Sequence, residues 1–517
     1  MTLKTSFTGN YLRIYFWQGA SLVLNLLSMF IVMPRLAGTP AVFGIYSICV
    51  AASIFLAYAD LGFISAGQKY AGERYARQDR SGEIRFIGFV CWVLSVMVCV
   101  YMAGCFVLAF RPQLLIAGLG DPAQHAQARI ASHLLCILGL FAPMNVLQRF
   151  HQLVFSIRLE EYVFQRMHML AGVARIASVF VFFRPGVYDV VGFFLFTQVA
   201  TLTVNLIALL VERRRYDYDL GMVLRSFRFD AEVFARTRAL AVSTLFVTLA
   251  WILYFELDLF VIGRINGAEA AAYYAAGMSL LSYLRMLFAT LYGPFFNRFN
   301  HFMGMGDDAQ LRELVVNVPV ITLPAVVFPV VSALLFMPQL MVSWLGPGYA
   351  DSVALARFLV AGYLWAFVTH PGAHLVAAQE RIRILYGLNA VMVVVFWAGI
   401  AVAYGTLGVL AFAVFKAVIF TLLGMYYLRY IARYVGRSIG SLAVEMFAPA
   451  IPSVGMLAAL ARWVAPRLPS AHDKWSLLAV IAAGAVCSLC ATAVYYAVST
   501  RFRSYINGPL RTTVAGA

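Results

Sequence analysis

"DLFVIGRINGAEAAAYYAAGMSLLS", residues 258–282, ends one apolar run, breaks briefly, and starts another. An earlier stretch, "MFIVMPRLAGTPAVFGIYSICVAAS" at 29–53, has the same order: apolar run, Arg, two residues, Gly, a link of small residues, an aromatic, a new apolar run. Arg35 and Gly38 match Arg264 and Gly267 at an offset of 229. Farther on, "KYAGERYARQDRSGEIR" (69–85) stands opposite "NRFNHFMGMGDDAQLRE" (297–313). The chain therefore reads as one unit written twice.

The rest of the chain says what kind of unit this is. Of 517 residues, 62% are hydrophobic and 12% charged, about half the charge of an average soluble protein. Apolar runs of 18 or more residues read as transmembrane helices. Fourteen are predicted, at 14–34, 42–64, 86–109, 130–148, 167–183, 188–211, 239–262, 271–296, 314–337, 353–378, 384–403, 405–428, 441–461 and 476–498. They are continuous rather than alternating, which argues against a β-barrel. The first has no small-x-small cleavage site after it and reads as a retained span. The expected fold is all-α integral membrane: spans 1–6 and 7–12 as two repeats around a central cavity, plus two C-terminal helices. Six spans is an even number, so the repeats run parallel, an arrangement that commonly binds substrate between the halves. The expected boundaries are 1–211 for the N-terminal lobe, 212–238 for a cytoplasmic connector, 239–430 for the C-terminal lobe, and 431–517 for spans 13–14 and a cytoplasmic tail.

The formal charge of +16 orients the chain rather than marking a nucleic-acid binder. With the N-terminus inside, 27 of the 39 Lys and Arg fall in cytoplasmic segments, eight on the opposite side and four within spans. The positive-inside rule places both termini in the cytoplasm, and the basic loops would contact anionic membrane lipid. No loop is long enough for a soluble domain, and no G-x-x-x-x-G-K-[ST] phosphate loop is present. No catalytic constellation is expected. Cys487 and Cys490 form a C-x-x-C inside an apolar span and read as small packing residues. His370 and His374 lie in "HPGAH", where Pro371 and Gly372 are expected to interrupt the helix, so no metal site is expected.

Several pieces of sequence carry a family resemblance: "FGIYSICVAASIFLAYADLGF" in span 2, "ELDLFVIGRINGAEAAAYYAAG" at the span 7–8 junction, "WLGPGYADSVALARFL" entering span 10, "HLVAAQERIR" at its end, and "YGTLGVLAFAVFK" opening span 12. In this order the chain resembles the polysaccharide transporter family, the O-antigen and exopolysaccharide flippases of the multidrug/oligosaccharidyl-lipid/polysaccharide superfamily. The lipid II flippases are similar in span count. The resemblance implies movement of an undecaprenyl-pyrophosphate-linked oligosaccharide from the cytoplasmic to the outer leaflet of a bacterial inner membrane. It implies polysaccharide polymerase machinery as a partner, and no cofactor beyond a proton or sodium gradient.

The basic residues inside the spans fit that implication. Arg175, Arg285, Lys416 and Arg357 lie within apolar runs, and a cation at a helix centre costs about 2.5–3.5 kcal/mol on insertion scales. Arg offers a planar fork matching phosphate oxygens. Arg175, Arg285 and Lys416 are placed at mid-depth, and Arg357 nearer the outer end. Ser282, Arg285 and Tyr292 share one side of span 8, and His168, Arg175 and Ser178 one side of span 5. Gln18, Ser21, Asn25 and Ser28 run down one stripe of span 1, which either packs through hydrogen bonds or lines a cavity. The four cations, with Gln18 and Asn25, are the candidate substrate contacts. Asp60, Glu256 and Asp258 are the acidic candidates, for a coupling ion or for an ion pair, such as Arg264 with the latter two. Two other readings stand beside the flippase: a drug/cation antiporter of the same superfamily, and a membrane enzyme of polysaccharide assembly. Basic mid-depth charges weigh against the first and short outside loops against the second.

Overall fold

The computed structural model describes residues 7–57, 61–216 and 220–514, and all their regular structure is helical. The chain divides into two compact units, Met1–Ala272 and Tyr273–Ala517.

The first unit opens with α1 (Phe7–Leu36), α2 (Pro40–Ala52) and the single turn α3 (Ile54–Ala57). Pro40 stands at the start of α2, where a missing N–H costs nothing. Next come α4 (Phe63–Ala76) and α5 (Arg80–Phe110). Asp79 caps α5 by accepting the Gly82 N–H at 2.9 Å. α6 (His125–Phe141) and α7 (Met144–Ile157) meet at a 45° bend, where Pro143 interrupts the helical ladder. α8 (Glu161–Phe182), α9 (Val190–Tyr216), α10 (Leu220–Ser226) and α11 (Ala231–Trp251) follow. A π-helical turn, Ile252–Glu256, leads into α12 (Asp258–Met305). Within α12, Gly267 takes φ 84° and ψ −176°, a conformation open in practice only to glycine. This is the break seen in the sequence. α1 packs on α8, α8 on α9, α5 on α4 and α6, and α11 on α4. Gly44 of α2 lies against the Ala268 carbonyl so closely that a Cβ there would collide with it, so the backbones meet through small residues.

The second unit takes the remainder of α12, then α13 (Asp308–Leu335), α14 (Met337–Leu345), α15 (Ser352–Ala361), α16 (Ala366–Ala378), α17 (Ile382–Leu407) and α18 (Leu410–Val435). α19 (Ile439–Phe447), α20 (Ile451–Val464), α21 (Lys474–Val498) and α22 (Thr500–Val514) complete it. α21 lies against α13 and α20. The contact with α13 repairs a backbone fault. Pro324 inside α13 has no N–H to offer the Val320 carbonyl four residues earlier, and the Tyr495 hydroxyl of α21 donates to that carbonyl at 3.2 Å.

The duplication extends to individual hydrogen bonds. After α4, Gln78 has φ 59°, and the Asp79 N–H bonds the Arg74 carbonyl at 2.9 Å. After α12, Gly306 has φ 69°, and the Asp307 N–H bonds the Phe302 carbonyl at 3.0 Å. Asp307 caps α13 through the Gln310 N–H at 3.0 Å, as Asp79 caps α5. A second pair of left-handed turns closes α7 at Leu159 (φ 55°) and α16 at Glu380 (φ 53°). There Glu160 N–H reaches Phe155 C=O at 2.9 Å, and Arg381 N–H reaches Val376 C=O at 3.1 Å.

Among the described residues, ten helical stretches are long and apolar enough to cross a membrane, and the bent α6–α7 pair makes an eleventh. The expected fourteen exceed this count at identifiable places. One of the ten is 231–305, 75 residues long. At about 1.5 Å per residue it would span over a hundred ångströms, several times a ~30 Å hydrocarbon core, and it is broken at the π turn and at Gly267. Pro40–Leu56 is apolar but shorter, and Glu161–Phe182 is 22 residues long but carries Arg166, His168 and Arg175.

One local expectation is corrected. Pro371 and Gly372 do not interrupt α16, which runs unbroken from Ala366 to Ala378. The segment expected as a connector, 212–238, is largely helical over its described residues. α9 runs on to Tyr216 with Glu212 fully buried, α10 packs on α5, and Asp230 caps α11 while pairing with Arg85.

Candidate functional site

Each unit holds a guanidinium inside an apolar helix. In the first, Arg175 of α8 is half-buried and donates from Nη2 to the Ser28 hydroxyl of α1 at 2.9 Å. Its buried Nε makes no hydrogen bond within the protein, and its charge reaches the Tyr46 phenol of α2. Arg carries five N–H donors, so the Ser28 bond leaves capacity for an anion. The stripe on α1 divides accordingly. Ser28 is buried against Arg175, whereas Gln18, Ser21 and Asn25 stay half-buried. On α8, Ser178 is buried and turned back to the Arg175 carbonyl at 2.8 Å.

In the second unit, Arg285 of α12 is half-buried, and its charge acts on the phenol of Tyr363. Tyr363 packs between Phe288 and Phe420, with centroids at 6.1 and 5.0 Å. Ser282 is also half-buried. Tyr292 does not continue a wet face. It is fully buried, bonds the Thr322 hydroxyl at 2.7 Å and stacks on His370 at 4.5 Å. Helical spacing put it on the side of Arg285, but that side enters the packing against α13 and α16.

Lys416 of α18 is 1% exposed, with Nζ 3.5 Å from Met278 Sδ and 5.7 Å from the ring centroids of Tyr274 and Phe396. This cation–π enclosure leaves it no opening toward a ligand in this conformation. Arg357 of α15 is exposed, its Nε 3.4 Å from the Leu334 carbonyl.

Among the acidic candidates, Glu256 closes the π turn and is half-buried. Asp258 is fully buried and accepts the Leu259 N–H at 2.8 Å. Arg264 donates to the Gln113 carbonyl at 3.0 Å. Asp60 lies outside the described residues. The π turn itself, which widens the helix beside two carboxylates, has no sequence signature, although such turns recur at functional sites.

A second polar cluster was not anticipated. His151 of α7 and Glu212 of α9 are both fully buried and joined Nδ1 to Oε2 at 2.8 Å. Beside them, Arg158 bridges to Glu83 at 2.7 Å and covers the rings of Tyr75 and Tyr216 at 4.7 and 4.9 Å. His151 and Glu212 are 61 residues apart, so no spacing rule joins them. The one available hint is a carboxylate ending an apolar run just before "RRR" at 213–215.

No family model matches the chain, and no curated protein matches it. Solved structures do. The lipid II flippase MurJ, in an inward-closed conformation, aligns over 94% of this chain and 98% of its own, with a TM-score of 0.65 and 11% identity. An inward-facing multidrug resistance MATE transporter of the MOP superfamily aligns over 82% of this chain and 94% of its own, with a TM-score of 0.55 and 13% identity. The eukaryotic MATE transporter AtDTX14 aligns over 83% of this chain and 99% of its own, with a TM-score of 0.52 and 15% identity. The chain is thus a multi-span helical membrane protein with the fold seen in MurJ and the MATE transporters.

Proposed function

We propose that this chain is a flippase, not an enzyme, that moves an undecaprenyl-pyrophosphate-linked oligosaccharide from the cytoplasmic to the outer leaflet of a bacterial inner membrane. The two repeats would alternate access, both termini lying in the cytoplasm, and the product would feed polymerase machinery of surface polysaccharide assembly. The observation that carries this reading is the pair of half-buried guanidiniums, Arg175 and Arg285, one in each unit. A passing pyrophosphate offers acceptor oxygens that match a guanidinium fork. The extent of the likeness also favours a lipid flippase over a drug antiporter, since MurJ covers 94% of this chain and the MATE transporters 82–83%. Lys416 and Arg357 are secondary on this reading. Gln18 and Asn25 of α1 are offered as hydrogen-bonding partners for the sugars.

The test uses the full chain in proteoliposomes with a fluorescent undecaprenyl-pyrophosphate oligosaccharide, read by quenching from outside. Arg285→Ala and Arg175→Ala should each lower the flipping rate at least about tenfold, the worth of one charge-assisted hydrogen bond. Lysine at either position should keep part of the rate. Abundant, fully active alanine variants would refute the reading.

A further inference from the structure

α1 and α8 pack side by side, and the seam between them holds a guanidinium at three levels. Near the start of α1, the Arg13 Cζ stands 5.8 Å from the centroid of the Tyr162 ring. Farther along, Arg175 donates to the Ser28 hydroxyl at 2.9 Å. At the far end, the Arg35 Cζ stands 4.6 Å from the centroid of the Phe180 ring, and its Nη1 donates to the Phe183 carbonyl at 3.3 Å. Ser28 and Arg175 are 147 residues apart in sequence, and Arg35 and Phe183 148, so the two helices run parallel. Gly172 faces Leu24 between these levels; a Cβ there would stand 2.8 Å from the Leu24 Cδ2, so the glycine lets the seam close. At about 1.5 Å per residue, Ser28 lies about 22 Å along α1 from Arg13 and about 11 Å from Arg35. The series covers about 33 Å, close to the ~30 Å of a hydrocarbon core.

Each of these cations is held by a neutral group: a tyrosine ring, a serine hydroxyl, a phenylalanine ring with a backbone carbonyl. Among the described residues, no carboxylate pairs with any of the three. A neutral partner fixes the direction of a guanidinium and leaves its charge in place, whereas a carboxylate would cancel it. Arg13 and Arg35 are exposed at the two ends, and Arg175 is half-buried between them. An uncancelled cation that far inside an apolar helix is costly, and an anion arriving along the seam removes that cost. Gln18, Ser21 and Asn25, half-buried on α1, occupy the levels between Arg13 and Ser28. Phe16, Val23 and Leu27 lie on the opposite side of α1 and are exposed. The apolar side of α1, not its polar stripe, is therefore the one offered to lipid.

We propose that the α1–α8 seam is the track along which a phosphate-bearing lipid head group crosses the membrane, from Arg13 to Arg175 to Arg35, which rests on the transport reading above and gives it a route. The guanidinium forks take the phosphate oxygens in turn. The amides of Gln18 and Asn25 and the Ser21 hydroxyl hydrogen-bond the head group between the first two cations. Ser28 is a positioning residue. It holds Nη2 of Arg175 and leaves the other donors to the passing anion, among them the buried Nε that has no acceptor within the protein.

The experiment compares Ser28→Asp with Ser28→Asn in the full-length chain, reconstituted in proteoliposomes. The two new side chains are nearly equal in size, and only the aspartate sets a negative charge against Arg175. With the fluorescent undecaprenyl-pyrophosphate oligosaccharide, S28N should flip at least about tenfold faster than S28D, the weight of one charge-assisted contact. Fluorescent phosphatidylglycerol is the second probe. A gap between S28N and S28D with phosphatidylglycerol alone means that the track stands and the pyrophosphate reading fails. Equal rates for the two variants with both probes, at whatever level, overturn the proposal. The ends are tested by pairs that keep or remove the charge. Arg13→Lys should flip about threefold faster than Arg13→Gln, and Arg35→Lys than Arg35→Gln, within the range for an exposed ion pair. If either glutamine variant is as fast as its lysine counterpart, the charge at that end does not guide the head group and the track is refuted.

Discussion

Removing the Tyr495 hydroxyl should destabilise the protein, and by less when position 324 carries a residue with an N–H. The carbonyl of Val320 would ordinarily accept from residue 324, which is a proline, and it accepts from Tyr495 instead. Tyr495 is fully buried, so water cannot replace the phenol. An unsatisfied buried acceptor costs about 1–3 kcal/mol. The observed 3.2 Å is long for an O–H···O bond, which puts Tyr495→Phe near the lower end, about 1 kcal/mol. Pro324→Ala restores the intrahelical donor, and in that background Tyr495→Phe should cost under about 0.5 kcal/mol. The double-mutant cycle isolates this coupling, since effects common to both backgrounds cancel. The assay is the free energy of unfolding in mixed detergent and SDS micelles for the four proteins. Strict additivity would refute the reasoning, because the phenol would then matter for packing alone and not as the substitute for a missing backbone donor.

Further outcomes follow from the same structure. Gly44→Leu should abolish accumulation in the membrane, because its Cβ collides with the Ala268 backbone and no rotamer relieves this; an immunoblot checks it. Lys416→Met should keep both abundance and flipping rate, since the ammonium faces Met278 and two aromatic rings rather than an opening. Asp79→Ala and Asp307→Ala remove equivalent caps and should each lower stability in the same unfolding assay. The Gly82 N–H and Ser81 hydroxyl hold the Asp79 carboxyl below its ordinary range. The stability this gives is complete above that range and disappears as pH falls through the depressed value, so an acid titration should narrow the difference between wild type and Asp79→Ala.

Much of the architecture was legible in the residue order because a membrane demands it. A helix must satisfy its own backbone in hydrocarbon, so long apolar runs announce themselves, and the Arg-x-x-Gly break at 35–38 and 264–267 marked the repeat. Gly267 was readable because its backbone conformation excludes other residues. The equivalence of Gln78 with Gly306, or of Leu159 with Glu380, was not, since different side chains adopt the same left-handed turn there. Within the site, the placement of Arg175 and Arg285 inside apolar helices needed only hydropathy. Tertiary packing decided the rest: it enclosed Lys416 and Tyr292, left Arg285 half-open, and brought His151 to Glu212 across 61 residues. Helical periodicity assigns a residue to a side of its own helix, but which sides become interior depends on the neighbours, and those are set by contacts distant in sequence.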